Sequence, residues 1–137
     1  MATFWRRALA LTALLVAAGT CSSASARTVT HKNVVSPTKL ISCYAVQDST
    51  RIECMADYLP RTGDGGGDPF LGLSARGKAI RGARGDFPGF FSPRRTLRYG
   101  DTWKRPGIRC TMRMSGLTCR NKDAHGFHLE KGNVRRF

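Results

Sequence analysis

The chain has 137 residues, with 23 lysines and arginines against nine acids, for a formal net charge of +14. A chain of this length makes one domain with a modest core and excludes an array of domains. The charge favours anionic partners: envelope polymers, acidic lipid headgroups, nucleic acid or acidic polysaccharide. It specifies no ligand by itself.

Residues 1–26 read as a secretory signal peptide. Arg6 and Arg7 form a positive start, residues 8–18 an apolar run, and Ala24-Ser25-Ala26 a small-residue cleavage site. The run is too short to span a membrane, and no later stretch is long enough, so the mature chain is expected to carry no transmembrane segment. Cleavage leaves 111 residues, 27–137, and removal of Arg6 and Arg7 brings the charge to +12. The expected location is extracellular or cell-envelope associated. Cys21, in Ala18-Gly19-Thr20-Cys21, resembles a bacterial lipoprotein processing site, and lipid anchoring there is the alternative. Cleavage after Ala26 discards Cys21 and leaves four cysteines, an even count in the setting where disulfides persist.

Residues 29–35 lead as a first strand into a cysteine hairpin. With Cys43 opposite Cys54, the turn falls at Asp48-Ser49. Ile41, Cys43, Ala45, Ile52 and Cys54 then line one face, and Ser42, Tyr44, Arg51 and Glu53 the other. The same register fits Cys110 and Cys119 around Arg113-Met114-Ser115-Gly116. There Ile108, Cys110, Met112, Leu117 and Cys119 oppose a polar face of Arg109, Thr111, Thr118 and Arg120. Four cysteines permit three pairings. The shared register favours Cys43–Cys54 and Cys110–Cys119, with a link between the hairpins, or buried free thiols, as alternatives.

Residues 60–93 read as a flexible Gly/Arg-rich loop. Gly63-Asp64-Gly65-Gly66-Gly67-Asp68-Pro69 does not suit a helix or a central strand. Asp64 and Asp68 lack the ligand pattern of a calcium loop, and no metal or other cofactor is expected. Arg76, Lys78, Arg81 and Arg84 alternate with Gly77, Gly82 and Gly85, a composition that binds polyanions through charge and flexibility. The competing reading is a mobile basic loop without a ligand. Phe87, Phe90 and Phe91 either plug one end of the core or stack on bases or sugar rings. The candidate ligand-binding set is therefore Arg76, Lys78, Arg81, Arg84, Arg94 and Arg95, with Phe90, Phe91 and Trp103 as contact aromatics.

Residues 96–99 have strand-like composition, Gly100-Asp101 makes a turn, and 127–129 forms a last strand. On that strand His128 and Glu130 share a face, while His125 points the other way. The two histidines therefore do not chelate one metal. His128 with Glu130 is a candidate polar site, either structural or an acid–base pair.

No nucleophile elbow, phosphate loop, zinc-protease helix or kinase signature occurs in the chain. The fold expected is all-β: the two cysteine hairpins and the further strands closed into a small sandwich or partly open barrel. The function expected is that of a non-catalytic binding module for an anionic surface or polymer, with non-specific nucleic-acid binding as a by-product. A small hydrolase using His128 and Glu130, and a secreted inhibitor or toxin-like factor, are the alternatives.

The order Ser36-Pro37, Ile41-Ser42-Cys43, Arg51-Ile52-Glu53-Cys54, Leu97-Arg98-Tyr99-Gly100, Ile108-Arg109-Cys110, Leu117-Thr118-Cys119-Arg120-Asn121 and His125-Gly126-Phe127-His128-Leu129 resembles a family. It is one of small exported actinobacterial proteins catalogued as a domain of unknown function. The resemblance covers most of residues 27–137 and is most specific in the C-terminal third. It implies secretion, disulfides and a β-rich fold, and supplies no activity and no catalytic residue. Members often carry another cysteine pair in the middle, whereas this chain has none between Cys54 and Cys110.

Overall fold

The computed structural model describes residues 25–61, 66–88 and 93–137. Residues 1–24 of the expected signal peptide, Cys21 among them, and Asp64, Phe90 and Phe91 lie outside the described residues. The strands are β1 (Thr28–Val29), β2 (Asn33–Val35), β3 (Ile41–Ala45), β4 (Ile52–Ala56), β5 (Asp68–Leu73), β6 (Ile80–Arg84), β7 (Arg95–Thr96), β8 (Thr102–Arg105), β9 (Ile108–Arg113), β10 (Gly116–Asn121), β11 (Gly126–Leu129) and β12 (Arg135–Arg136). They form two six-stranded sheets packed as a sandwich. The first runs β1-β8-β9-β10-β11-β12 and the second β6-β5-β4-β3-β2-β7.

Each sheet is an antiparallel meander closed at one edge by a short parallel strand from the other half of the chain. β1 pairs with β8 in the first sheet, and β7 pairs with β2 in the second. The two halves obey one register. A row of directly paired residues crosses the first sheet through Val29, Trp103, Cys110, Cys119, Phe127 and Arg136. Its counterpart crosses the second through Arg95, Val34, Cys43, Cys54, Leu71 and Arg81. Both disulfides close within their hairpins, Cys43–Cys54 and Cys110–Cys119, each with a Cα separation of 4.0 Å. That is the closer spacing of a non-hydrogen-bonded antiparallel pair. The favoured pairing holds, and two such bonds are consistent with an extracellular protein.

The inward rows make the core. Val34, Ile52, Leu71 and Leu73 from one sheet meet Trp103, Met112, Leu117, Phe127 and Leu129 from the other, all nearly inaccessible to water. Trp103 is fully buried, and its Nε1 donates to the His31 carbonyl at 2.8 Å. It is thus a core residue and not a contact aromatic. An indole that supplies the largest fully buried side chain of a small core cannot also stack on an external ligand.

The loop expected over 60–93 is corrected by β5 and β6. Pro69 is tolerated because the pairing of β5 with β4 ends at Phe70, one residue further on, so its missing N–H interrupts no bond to that neighbour. Gly82 is a packing site. It lies opposite Phe70, and a Cβ there would come 2.5 Å from the ring's Cζ. The strand expected over 96–99 is confined to Arg95–Thr96. The chain then turns, because the Asp101 carboxylate accepts the Arg98 N–H at 2.8 Å.

The two outer faces differ. That of the second sheet is covered by a small second core of Tyr44, Met55, Phe70 and Phe87, with the Tyr44 and Phe87 rings edge-to-face at 5.0 Å. Under it lies Glu53, fully buried although alternation places it on the polar side. Its carboxylate accepts from Tyr44 Oη at 2.5 Å and from the Arg84 fork at 2.6 and 2.9 Å, and pairs with Arg51 at 2.8 Å. The first sheet keeps its outer face open, and that face carries the candidate site.

Candidate anion-binding face

None of the six strands of the first sheet contains an acid. Strand alternation turns Trp103, Cys110 and Cys119 inward, so their neighbours face outward. Lys104 on β8 lies opposite Arg109 on β9, and Arg109 opposite Arg120 on β10. The three cations form one row across three adjacent strands, at about 4.8 Å per strand step. Lys104, Arg109 and Arg120 are exposed and have no carboxylate partner among the described residues.

On β11 the row meets Gly126, directly opposite Arg120. A Cβ at Gly126 would sit 1.9 Å from the Cys119 carbonyl oxygen and 3.0 Å from Phe137 Cε2, so only glycine fits. Gly126 and Phe137 exchange backbone hydrogen bonds of 2.9 and 3.0 Å. The Arg120 guanidinium then lies over the Phe137 ring, 4.8 Å from its centroid.

At the end of these strands is a basin of about 340 Å³ whose cations are Lys104, Arg105, Arg109, Arg120 and Lys122; no acid among the described residues lines it. Asp123, next in sequence, is turned away. It pairs with Arg76 at 2.8 Å and accepts the Gly77 N–H at 2.8 Å, which holds its carboxyl below the usual aspartate range. Asn121 fixes this corner. Its amide donates to the Ser74 and Gly77 carbonyls at 3.0 and 2.7 Å, and its oxygen accepts from the Asp123 and His125 N–H groups at 3.0 and 3.1 Å. One buried side chain thereby ties the β10–β11 turn to the β5–β6 turn of the other sheet.

A second outward row runs parallel to the cations: Thr28, Thr102, Thr111, Thr118, His128 and Arg135, one residue per strand across all six strands. His128 is buried and engaged at both ring nitrogens. Nδ1 lies 2.8 Å from Thr118 Oγ1, and Nε2 3.3 Å from Glu130 Oε2. Asn133 also donates to Glu130, at 3.1 Å, and these two bonds hold the Glu130 carboxyl below its ordinary range. The structure thus brings His128 and Glu130 together as a clamp on the turn after β11. No ring nitrogen is left to meet a substrate. Among the described residues no group of three or more His, Cys, Asp or Glu side chains is placed to hold a metal ion.

The cations expected to bind together are dispersed. β6 and β7 are opposite edges of the second sheet, so Arg81 and Arg84 are separated from Arg94 and Arg95. Arg84 is committed to Glu53, Arg76 to Asp123, Arg81 donates to the Pro60 carbonyl, and Arg94 to Ser42 Oγ at 3.1 Å. Arg95 is exposed on the β7 edge of the second sheet, and Lys78 is exposed beside His125, Arg136 and Phe137. Of the residues that do assemble, Arg109 and Arg120 were legible as outward positions of the Cys110–Cys119 register, whereas Lys104 lies on β8, a strand that the residue pattern did not signal. Charge density along the chain pointed instead at the glycine-rich segment.

No curated protein and no solved structure matches the chain. Residues 70–137, which include every strand of the first sheet except β1, match the family of unknown function DUF6636. The resemblance to a domain-of-unknown-function family is thereby borne out over the C-terminal half of the chain.

Proposed function

We propose that the protein is a non-catalytic binding module that takes an anionic polymer or surface on the outer face of its first sheet. One observation carries this reading: the row Lys104–Arg109–Arg120, in register on three adjacent strands with no acid in the sheet. Like charges placed directly opposite one another destabilise a sheet, so a row of them is expected where an external anion neutralises it. Two disulfides and the apolar leader fit a module that works outside the cell, on an envelope or extracellular polymer. The engagement of both His128 nitrogens gives the hydrolase reading no support.

The test is retention of the oxidised protein on immobilised polyanion. Arg109→Glu with Arg120→Glu is expected to abolish retention, and Arg81→Glu to leave it nearly intact. Equal loss in both variants would reduce the interaction to net charge.

A further inference from the structure

We infer that the anion this face takes is an acidic polysaccharide, a chain of carboxylate- or sulfate-bearing sugars lying across the strands. The inference rests on the proposed binding face and narrows its ligand.

The face carries two parallel rows of different chemistry. One presents a cation on each of three successive strands. The other presents a threonine hydroxyl on each of four, Thr28, Thr102, Thr111 and Thr118. The two rows are two residues apart along the strands, about 7 Å, which is the reach of one sugar ring lying between them. One strand step is close to the advance of one pyranose unit along an extended chain, so two successive sugars meet a cation and a hydroxyl, Lys104 with Thr102 and Arg109 with Thr111, and the next ones a cation or a hydroxyl alone. Guanidinium forks pair with carboxylate or sulfate oxygens in the geometry that favours arginine. A threonine hydroxyl both donates and accepts, which suits the ring hydroxyls of a sugar. Thr118 is already engaged with His128, which leaves Thr28, Thr102 and Thr111 for this role.

Other polyanions fit less well. A single-stranded nucleic acid needs a series of stacking aromatics, and Phe137 is the one aromatic ring beside this row among the described residues. A lipid surface calls for an apolar wedge, and neither row contains an aliphatic side chain larger than threonine. A polyphosphate presents only acceptors and has no use for the accepting half of a hydroxyl row.

The experiment measures binding of the full oxidised chain to three probes: galacturonate oligomers of increasing length, inorganic polyphosphate, and vesicles rich in anionic lipid. The variants are Arg109→Glu, the double Thr102→Val with Thr111→Val, and the double Thr102→Ser with Thr111→Ser. Valine keeps the β-branched shape and strand preference of threonine, so the sheet is retained. Affinity for galacturonate is expected to rise with length up to about three or four sugars and then level off. The valine variant is expected to bind galacturonate about tenfold more weakly while binding polyphosphate unchanged, and the serine variant to bind like the wild type. Valine variants that bind galacturonate as tightly as the wild type would overturn the polysaccharide assignment. So would tighter binding of the wild type to polyphosphate or vesicles than to galacturonate. If Arg109→Glu leaves all three probes unaffected, the binding face itself is wrong.

Discussion

Arg109 lies directly opposite Arg120 on the outer face of the Cys110–Cys119 hairpin, with no carboxylate among the described residues paired to either. Cross-strand like charges destabilise a pair, and opposite charges stabilise it, by about 0.2–1 kcal/mol. Arg109→Glu is therefore expected to raise the thermal midpoint while weakening polyanion binding. Scanning calorimetry of the variant beside a binding titration checks both halves. A fall in stability would mean that Arg109 makes a favourable contact in the folded protein.

Glu53 is the opposite case, a charge placed inside to close the second sheet. Its four polar contacts leave no oxygen unpaired, and it pushes the Tyr44 hydroxyl, already raised by burial, up to about 12. Burial works against the carboxylate itself, but Arg84, Tyr44 and Arg51 together hold its pKa below the ordinary value. Removing one partner of a buried ion pair costs about 3–5 kcal/mol. Arg84→Ala, which leaves the fully buried carboxylate with Arg51 as its cation, is expected to approach that range by urea denaturation, and Glu53→Ala, which strips Tyr44 and both arginines of their acceptor, to be comparably costly. A negligible loss in either variant would contradict the place given to this pair.

Asp101 links stability to acid pH, as do the other depressed carboxyls, Glu53, Asp123 and Glu130. Burial alone would raise its pKa, but the Arg27 guanidinium at 2.6 Å and the N–H groups of Arg98 and Arg27 bring it down to about 2, from an ordinary 3.8. A depressed carboxyl binds its proton more readily in the unfolded chain. Its contribution is therefore complete above pH 3.8 and is lost as the pH falls through about 2. Stability of the wild type is expected to drop across that window. Asp101→Asn is expected to be less stable at neutral pH and to show a shallower acid limb. An unchanged acid limb would remove Asp101 from this role.

Asn121 joins the sheets at the corner beside the cation row. Alanine there strands two carbonyls and two N–H groups, and the expected loss is about 2–4 kcal/mol. Hydrogen exchange is expected to rise first at Gly77, Asp123 and His125. Protection unchanged at those amides would show that the turns hold each other without it.

What was legible in the sequence was the part governed by alternation. Placing Cys110 opposite Cys119 and Cys43 opposite Cys54 fixed two registers, and with them the inward side of Ile108, Met112 and Leu117. The second outer face was not legible. Its cover depends on Phe70 and Phe87, which are distant in sequence from Tyr44 and Met55, and the sequence alone does not bring them together. The glycines of β5 and β6 signal flexibility in composition, yet Gly82 is small because the Phe70 ring occupies its side-chain space. The cation row did not stand out for a related reason. Charge counted along the chain is densest near Arg76 and Arg84, whereas charge counted across the strands gathers at Lys104, Arg109 and Arg120 only once β8, β9 and β10 are paired.

In the proposed reading this row, and not net charge, holds the anion. It is tested by the salt dependence of polyanion binding for the wild type, Arg109→Ala with Arg120→Ala, and Arg81→Ala with Arg94→Ala, two cations held against the second sheet. The first pair is expected to weaken binding and reduce the slope of log affinity against log salt by about two, while the second pair leaves it nearly unchanged. Equal reductions in both pairs, or none at Arg109 and Arg120, would contradict it.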